Sequence, residues 1–202
     1  MPHRIALLVT GASGMQLPRH LLRVLATRDE VELIHLVVSA GASQVLRHEL
    51  GEKKTGAGDL VASCKLPAEA EARVNAHRDS ELDAPIASGS YRLDGTVILP
   101  LSSGTLGALA TGSARTLVHR AGAVALKERW PLVLGFRETP LSIVHLENLR
   151  RLAYAGAVIL PPLPAFYIGG ESFERFLDHY AMRILDRLGI DEGSGDGLRW
   201  GE

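Results

Sequence analysis

Arg137 and Glu138 stand side by side in the string Gly135-Phe136-Arg137-Glu138-Thr139-Pro140, directly after a short apolar run. A guanidinium fork can bind a phosphate through two parallel hydrogen bonds, and a carboxylate beside a reacting centre can carry protons. The same dipeptide can be a plain surface charge pair at a strand exit, but Pro140 fixes the turn and favours a site. Three further turns carry hydroxyls or small residues. Thr10-Gly11-Ala12-Ser13-Gly14 follows the run Ile5 to Val9, Ser39 follows Leu33 to Val38, and Pro100-Leu101-Ser102-Ser103-Gly104-Thr105 follows Thr96 to Leu99. Small residues let a backbone turn tightly and bring the N–H groups of a helix start against a phosphate. The Gly-x-x-Gly spacing is not the GxGxxG fingerprint and, taken alone, also fits an ordinary strand-to-helix turn. Each serine is equally a good helix cap. Three such turns in succession make a donor-rich rim suited to a phosphate, a ribityl chain or the edge of a heterocycle.

These turns are useful together only if the apolar runs before them are strands of one sheet. The runs Ile5 to Val9, Leu33 to Val38, Thr96 to Leu99, Leu132 to Leu134 and Ala157 to Leu160 are continuous rather than alternating, as in strands buried on both faces. Helical stretches lie between them: Leu17 to Ala26, Ala42 to Glu49, Ala114 to Leu126, Ile143 to Ala155 and Ser172 to Leu188. In the last, Phe173, Phe176, Leu177, Tyr180, Ile184 and Leu188 form one apolar face, with Ser172 as N-cap and Gly189 as stop. The alternation predicts an α/β fold, a Rossmann-like (flavodoxin-like) doubly wound parallel sheet. In such a sheet ligands bind outside the carboxyl ends of the strands, where the four turns fall. The segment Gly51 to Ala87 lacks a core periodicity apart from a short helix around Ala68 to Val74, and reads as a surface excursion.

At 202 residues the chain is expected to form a single domain over 1–202. With 22 Lys plus Arg against 23 Asp plus Glu, it has no global field to draw in nucleic acid or an anionic membrane. Cys64 is the only cysteine, which rules out an internal disulfide and a Cys-rich metal site and suits a reducing cytoplasm. The eight histidines lie in no recognisable ligand spacing. The first apolar run is too brief for a secretory signal or a membrane span. A cytoplasmic, soluble protein is the expectation.

Taken together, the strings TGASG (10–14), Ser39 with Glu49 ten residues on, ASGS (87–90), SSGTLGALATG (102–112), ALKERWPLVLGFRETPLSIVHLENL (125–149), GAVILPPLPAFY (156–167) and RW (199–200) resemble the UbiX or Pad-type flavin prenyltransferases over nearly the whole chain. The resemblance implies transfer of a dimethylallyl group from dimethylallyl phosphate to N5 and then C6 of reduced FMN, without a metal. The product, prenylated FMN, serves UbiD-type decarboxylases. It implies that Gly11, Ala12, Ser13, Ser39, Ser102, Thr105 and Arg137 hold FMN, and that Lys127, Arg137, Glu138, Tyr167 and Arg183 grip the prenyl phosphate. Glu49 and Glu138 would handle protons, with Ser13 also at the reacting centre, and the π face of Trp200 would steady an allyl cation. It implies a homo-oligomer, a dodecamer in most members, with sites at subunit junctions. Apart from the resemblance, Lys127 and Glu49 read as helix-end charges, Tyr167 as a core aromatic and Arg183 as a flank residue of its helix. Leu17-Pro18 and Ala40 depart from the family pattern. Two other readings remain: an FMN-dependent decarboxylase of the phosphopantothenoylcysteine type, whose PASANT-like string is replaced by LSSGT at 101–105, and a non-catalytic flavin-binding protein.

Overall fold

Branched aliphatic runs with apolar side chains on both sides of the backbone are stable only when both faces are covered, and each such run is a buried strand. The computed structural model describes residues 2–51, 56–168, 172–190 and 197–201. In chain order the elements are β1 (His3–Val9), α1 (Gln16–Ala26), β2 (Val31–Val38), α2 (Ala40–Leu50), α3 (Ala57–Cys64), α4 (Ala68–Glu71), β3 (Val74–Arg78), β4 (Gly95–Leu101), α5 (Ser103–Ala110), α6 (Leu117–Glu128), β5 (Leu132–Phe136), α7 (Ile143–Tyr154), β6 (Val158–Ile159) and α8 (Phe173–Leu188). Short 3-10 turns lie at Pro85–Ala87 and Phe166–Ile168. The strands form one sheet in the order β3-β2-β1-β4-β5-β6, parallel throughout. Among the described residues no helix is long and apolar enough to cross a membrane.

Successive residues of a strand point to opposite faces, so each strand feeds two cores. Ile5, Leu7 and Val9 of β1, with Ile34 and Leu36 of β2, pack under Leu21, Leu22 and Leu25 of α1 and Ile184, Leu185 and Leu188 of α8. Ala6, Leu8, Val37 and Ile98 face the other way, against Leu106 and Leu109 of α5 and Val118, Ala121 and Ala125 of α6. The expected caps of α8 are present: Ser172 Oγ accepts from Arg175 N at 3.2 Å, and Gly189 closes the helix in the left-handed region at φ 69°. Pro18 sits in the first turn of α1, where its missing N–H costs nothing.

The segment 51–87 corrects the reading of a surface excursion, although its residues 52–55 lie outside the described residues. It contributes β3, which pairs in parallel with β2 from Ile34↔Val74 to Val38↔Arg78, and α3, whose Leu60, Val61 and Cys64 are buried against the α1 side of the core. The strand escaped notice because Val74–Arg78 is an edge with mostly exposed side chains and therefore has no apolar run. The expected helix around Ala68 to Val74 is confined to Ala68–Glu71. The segment is also tied inward by polar contacts. His35, buried on β2, lies 2.9 Å from His77 Nε2 through Nδ1 and 3.0 Å from Tyr91 Oη through Nε2. Burial, then the neighbouring His77 and Arg4, pushes the His35 imidazole down to about 4 and keeps it neutral. Because Leu60 is 1% exposed, Leu60→Ala is expected to lower stability to urea by about 2 to 5 kcal/mol. An unchanged unfolding midpoint would return α3 to the surface.

Two further differences bear on the site. Ser102 to Thr105 do not form a flexible turn: Ser103–Ala110 is helix α5, and α6 starts at Leu117 rather than Ala114. The sheet order reverses between β1 and β4, so the crevice expected of a doubly wound fold opens where their carboxyl ends diverge.

Candidate active site

Thr10 is the hinge pin of that crevice. Buried at the end of β1, its Oγ1 donates to Pro100 O at 2.7 Å and accepts from Ser102 N at 2.7 Å, locking the β1 exit to the β4 exit. Gly11 follows in close contact with the start of α2, where a Cβ would lie 2.8 Å from the Gly41 carbonyl carbon. No side chain fits there without moving backbone, which explains the glycine at position 11. Ser39 caps α2 by accepting from Ala42 N at 3.2 Å, and Ser102 caps α5 by accepting from Thr105 N at 3.4 Å while donating to Thr105 Oγ1 at 3.2 Å. Capping and lining are therefore one arrangement, since both serines also face the cleft. At the β5 exit Arg137 N donates to Leu101 O at 3.4 Å, and Glu138 accepts from Ser103 Oγ at 3.1 Å and from Thr139 N at 3.1 Å.

These turns enclose a cleft of about 690 Å³ lined by Gly11, Ala12, Ser13, Ser39, Ser102, Thr105, Arg137 and Glu138, together with Gly41, Ser103, Gly104 and His119. Its size falls within the range of roughly 300–1,000 Å³ usual for cofactor-sized ligands. Every residue expected to hold a flavin is thus brought to one place. His119 went unnoticed in the sequence, because its position in the first turn of α6 is visible only once that helix is known to start at Leu117. Asp79, just past β3, supports that turn: its carbonyl accepts from Leu117 N at 2.8 Å and its carboxylate from Val118 N at 2.9 Å. Burial, with the Arg115 charge, lowers the His119 imidazole against the pull of Asp79 and leaves it neutral.

Glu49 reaches the same corner from the last turn of α2. Its carboxylate accepts from Gly14 N at 3.0 Å and Met15 N at 2.7 Å, so an anion from the chain itself already occupies the N-terminus of α1. Ala12 N is also engaged, by Thr10 O at 2.8 Å, so the Ala12, Gly14 and Met15 amides of this turn find partners within the chain. Partial burial raises the Glu49 carboxyl, but hydrogen bonds from Ser13, Met15 and Gly14 and the Arg137 charge more than offset this and hold it below the ordinary carboxylate value. Glu138 is also lowered, by the Thr139 amide and the Ser103 hydroxyl first and the His145 and Arg137 charges after.

The remaining expected residues lie elsewhere in the chain. Tyr167, Arg183 and Trp200 gather around a second hollow of about 220 Å³ with Met182, Asp186, Arg187 and Arg199, sharing no lining residue with the cleft. Tyr167 is 45% exposed and packs edge-on against Trp200 at 5.0 Å, so it is not a core aromatic. Lys127 is paired with Glu128 at the far end of α6, eight residues and about 12 Å along the axis from His119. Within one chain the expected residues therefore fall into two separate hollows and a distant lysine.

The Flavoprotein family model matches residues 1–175. The chain is 41% identical over 207 residues to flavin prenyltransferase UbiX of Pseudomonas aeruginosa, a match spanning 100% of this chain and 95% of that one. Its fold superposes with a TM-score of 0.82 on a crystal structure of AnUbiX in complex with FMN and dimethylallyl pyrophosphate, at 36% identity and covering 100% of this chain and 99% of the other. A dodecameric FMN-dependent UbiX-like decarboxylase from Escherichia coli superposes with a TM-score of 0.81 at 35% identity, covering 95% and 99%.

Proposed function

The chain belongs to the flavin prenyltransferase family, and from that premise we propose that it joins the dimethylallyl group of dimethylallyl phosphate to N5 and C6 of reduced FMN. The observation that carries this reading is the cleft at the β1–β4 divergence, where three hydroxyl-bearing turns, Arg137 and Glu138 converge. Reduced FMN enters as a substrate: an N5–carbon bond forms as the carbon–oxygen bond of the phosphate ester breaks and N5 gives up its proton; one proton is then added to the prenyl double bond and the C6 proton is lost as a C6–carbon bond closes the new ring, a net gain of one C5H8 unit.

Gly11, Ala12 and Ser13 give the flavin a wall without bulk, and Ser39, Ser102 and Thr105 offer hydroxyls while remaining fixed as caps. Arg137 serves both ligands from the β5 exit, beside the hydroxyl rim on one side and Glu138 on the other. The leaving phosphate needs fixed positive charge where its own charge grows, which Arg137, Arg183 and Lys127 supply, with Tyr167 donating to the same oxygens. Glu49 and Glu138, both held low, are ionised at neutral pH and suited to accepting the C6 proton, with Ser13 hydrogen-bonded to Glu49. Trp200, 80% exposed in the isolated chain, presents a ring face to the prenyl group once covered.

Because the half-sites are separate, the reading requires neighbouring copies to close the pocket. Exposed apolar side chains support such an assembly: Ile143 and Val144 on α7 are 70% and 62% exposed, and Phe166 beside Tyr167 is 93% exposed. We propose a homo-oligomer, a dodecamer as in the related decarboxylase, acting in the cytoplasm and handing prenylated FMN to a UbiD-type partner. The test is to incubate the protein anaerobically with reduced FMN and dimethylallyl phosphate and to weigh the flavin. A product heavier by one C5H8 unit is expected; unchanged flavin with both substrates bound would refute the proposal.

A further inference from the structure

Tyr167 is held by more than its own turn. Its ring stands edge-on to Trp200 and to His179, with centroids 5.0 and 5.8 Å away, and its Oη lies 3.1 Å from His179 Nε2. His179 sits on α8 one turn before Arg183 and is 4% exposed. Its second nitrogen, Nδ1, is buried and has no hydrogen-bond partner among the described residues. Burial first, and then the Arg183 charge, lowers the imidazole, outweighing the opposing pull of Asp186, so the ring is neutral and carries one N–H. That proton has two places to go. A buried N–H without an acceptor costs more than a buried lone pair without a donor, because the N–H loses a strong bond to water whereas unfilled acceptors are better tolerated. The proton therefore belongs on Nε2, aimed at the tyrosine oxygen.

We propose that His179 is a positioning residue that makes Tyr167 a one-way donor: its Nε2–H occupies the phenol oxygen, leaving the phenol O–H to point outward at an anionic oxygen. This rests on the reading that Tyr167 grips the prenyl phosphate, and goes beyond it by assigning the orientation of that hydrogen bond to a residue that never touches substrate. With the opposite tautomer, Tyr167 would donate inward and present only a lone pair to the phosphate, which repels it. The two edge-on rings prevent the phenol from swinging out of this geometry.

The test compares three variants. The amide nitrogen of His179→Gln lies at the reach of Nε2, that of His179→Asn only at the reach of Nδ1, and His179→Phe keeps the ring without a donor. The Asn and Phe variants are expected to raise KM for dimethylallyl phosphate about tenfold, the loss typical of a weakened hydrogen bond to a charged group. The Gln variant is expected to stay close to wild type, and FMN affinity to be unchanged in all three. On a Tyr167→Phe background the Asn change should add nothing further. Equal effects of Asn and Gln, an unmoved KM in both Asn and Phe, a parallel loss of FMN affinity, or additivity with Tyr167→Phe would each overturn the assignment. Wild-type protein that binds both substrates without prenylating flavin would instead refute the proposed reaction, so the two failures are distinct.

Discussion

Arg137→Ala subunits and Arg183→Ala subunits are each expected to lose prenyl transfer by about a hundredfold to a thousandfold, and co-assembling the two is expected to restore about a quarter of it. The individual losses follow from the roles proposed above, in which each guanidinium faces negative charge that grows only as the phosphate leaves; removing one fixed donor from such a position has that magnitude. The recovery follows from geometry. Arg137 lines the cleft, Arg183 lines the second hollow, and the two share no wall within one chain. In a randomly mixed oligomer an intact cleft faces an intact hollow at roughly a quarter of the junctions, since each half is sound in half the subunits. Separately folded mutants mixed without subunit exchange should remain inactive. If co-refolded mixtures are no better than the average of their parents, the half-sites do not belong to one pocket. The two variants should also differ in kind: Arg183→Ala should weaken the prenyl donor and spare FMN, whereas Arg137→Ala should weaken both.

The second large effect is expected at Glu49. Glu49→Gln should bind FMN and form prenylated flavin about a hundredfold more slowly, as loss of a general base usually does. Its pH dependence carries a sign. The folded carboxyl is held below its ordinary value by the Ser13, Met15 and Gly14 hydrogen bonds and the Arg137 charge, against the upward push of partial burial. The ionised form is thus the favoured one in the folded protein. Its contribution is complete above the ordinary carboxylate value and disappears as the pH falls through the lower folded value. Wild-type activity should therefore hold from neutral pH down to the lower folded value, whereas the stability that Glu49 contributes should begin to fall once the pH passes below the ordinary carboxylate value, and the Gln variant should lack both changes. Stopped-flow spectra of the flavin across pH would show it. A Gln variant as fast as wild type would reduce Glu49 to a cap for α1.

The sequence carried the sheet wherever burial left a chemical trace. β1, β2, β4 and β5 are apolar runs because both faces are covered, β6 is a half-buried apolar edge, and the capped, one-sided α8 was equally plain. β3 left no such trace, since an edge strand need not be apolar, and α3 is too short to show a period. The cleft residues were readable because strand exits are where this architecture binds ligands. Their fastening was not: Thr10 to Pro100 and Ser102 spans some ninety residues, as does nothing visible in local sequence. Tyr167, Arg183 and Lys127 came only through family resemblance, because within one chain they lie apart from the cleft and look like ordinary surface.

The carboxylate at the α1 N-terminus has a bearing on inhibitor chemistry. In dinucleotide-binding enzymes of similar topology, the corner after the first strand is where a phosphate mimic gains affinity. Here the Gly14 and Met15 amides are already satisfied by Glu49, so the corner has the opposite polarity. A compound built on a flavin or prenyl scaffold should direct a hydrogen-bond donor or an amine toward it and keep its acidic group for Arg137. A ligand so arranged would be rejected by phosphate-binding corners of the usual sign, which makes one turn a handle for selectivity.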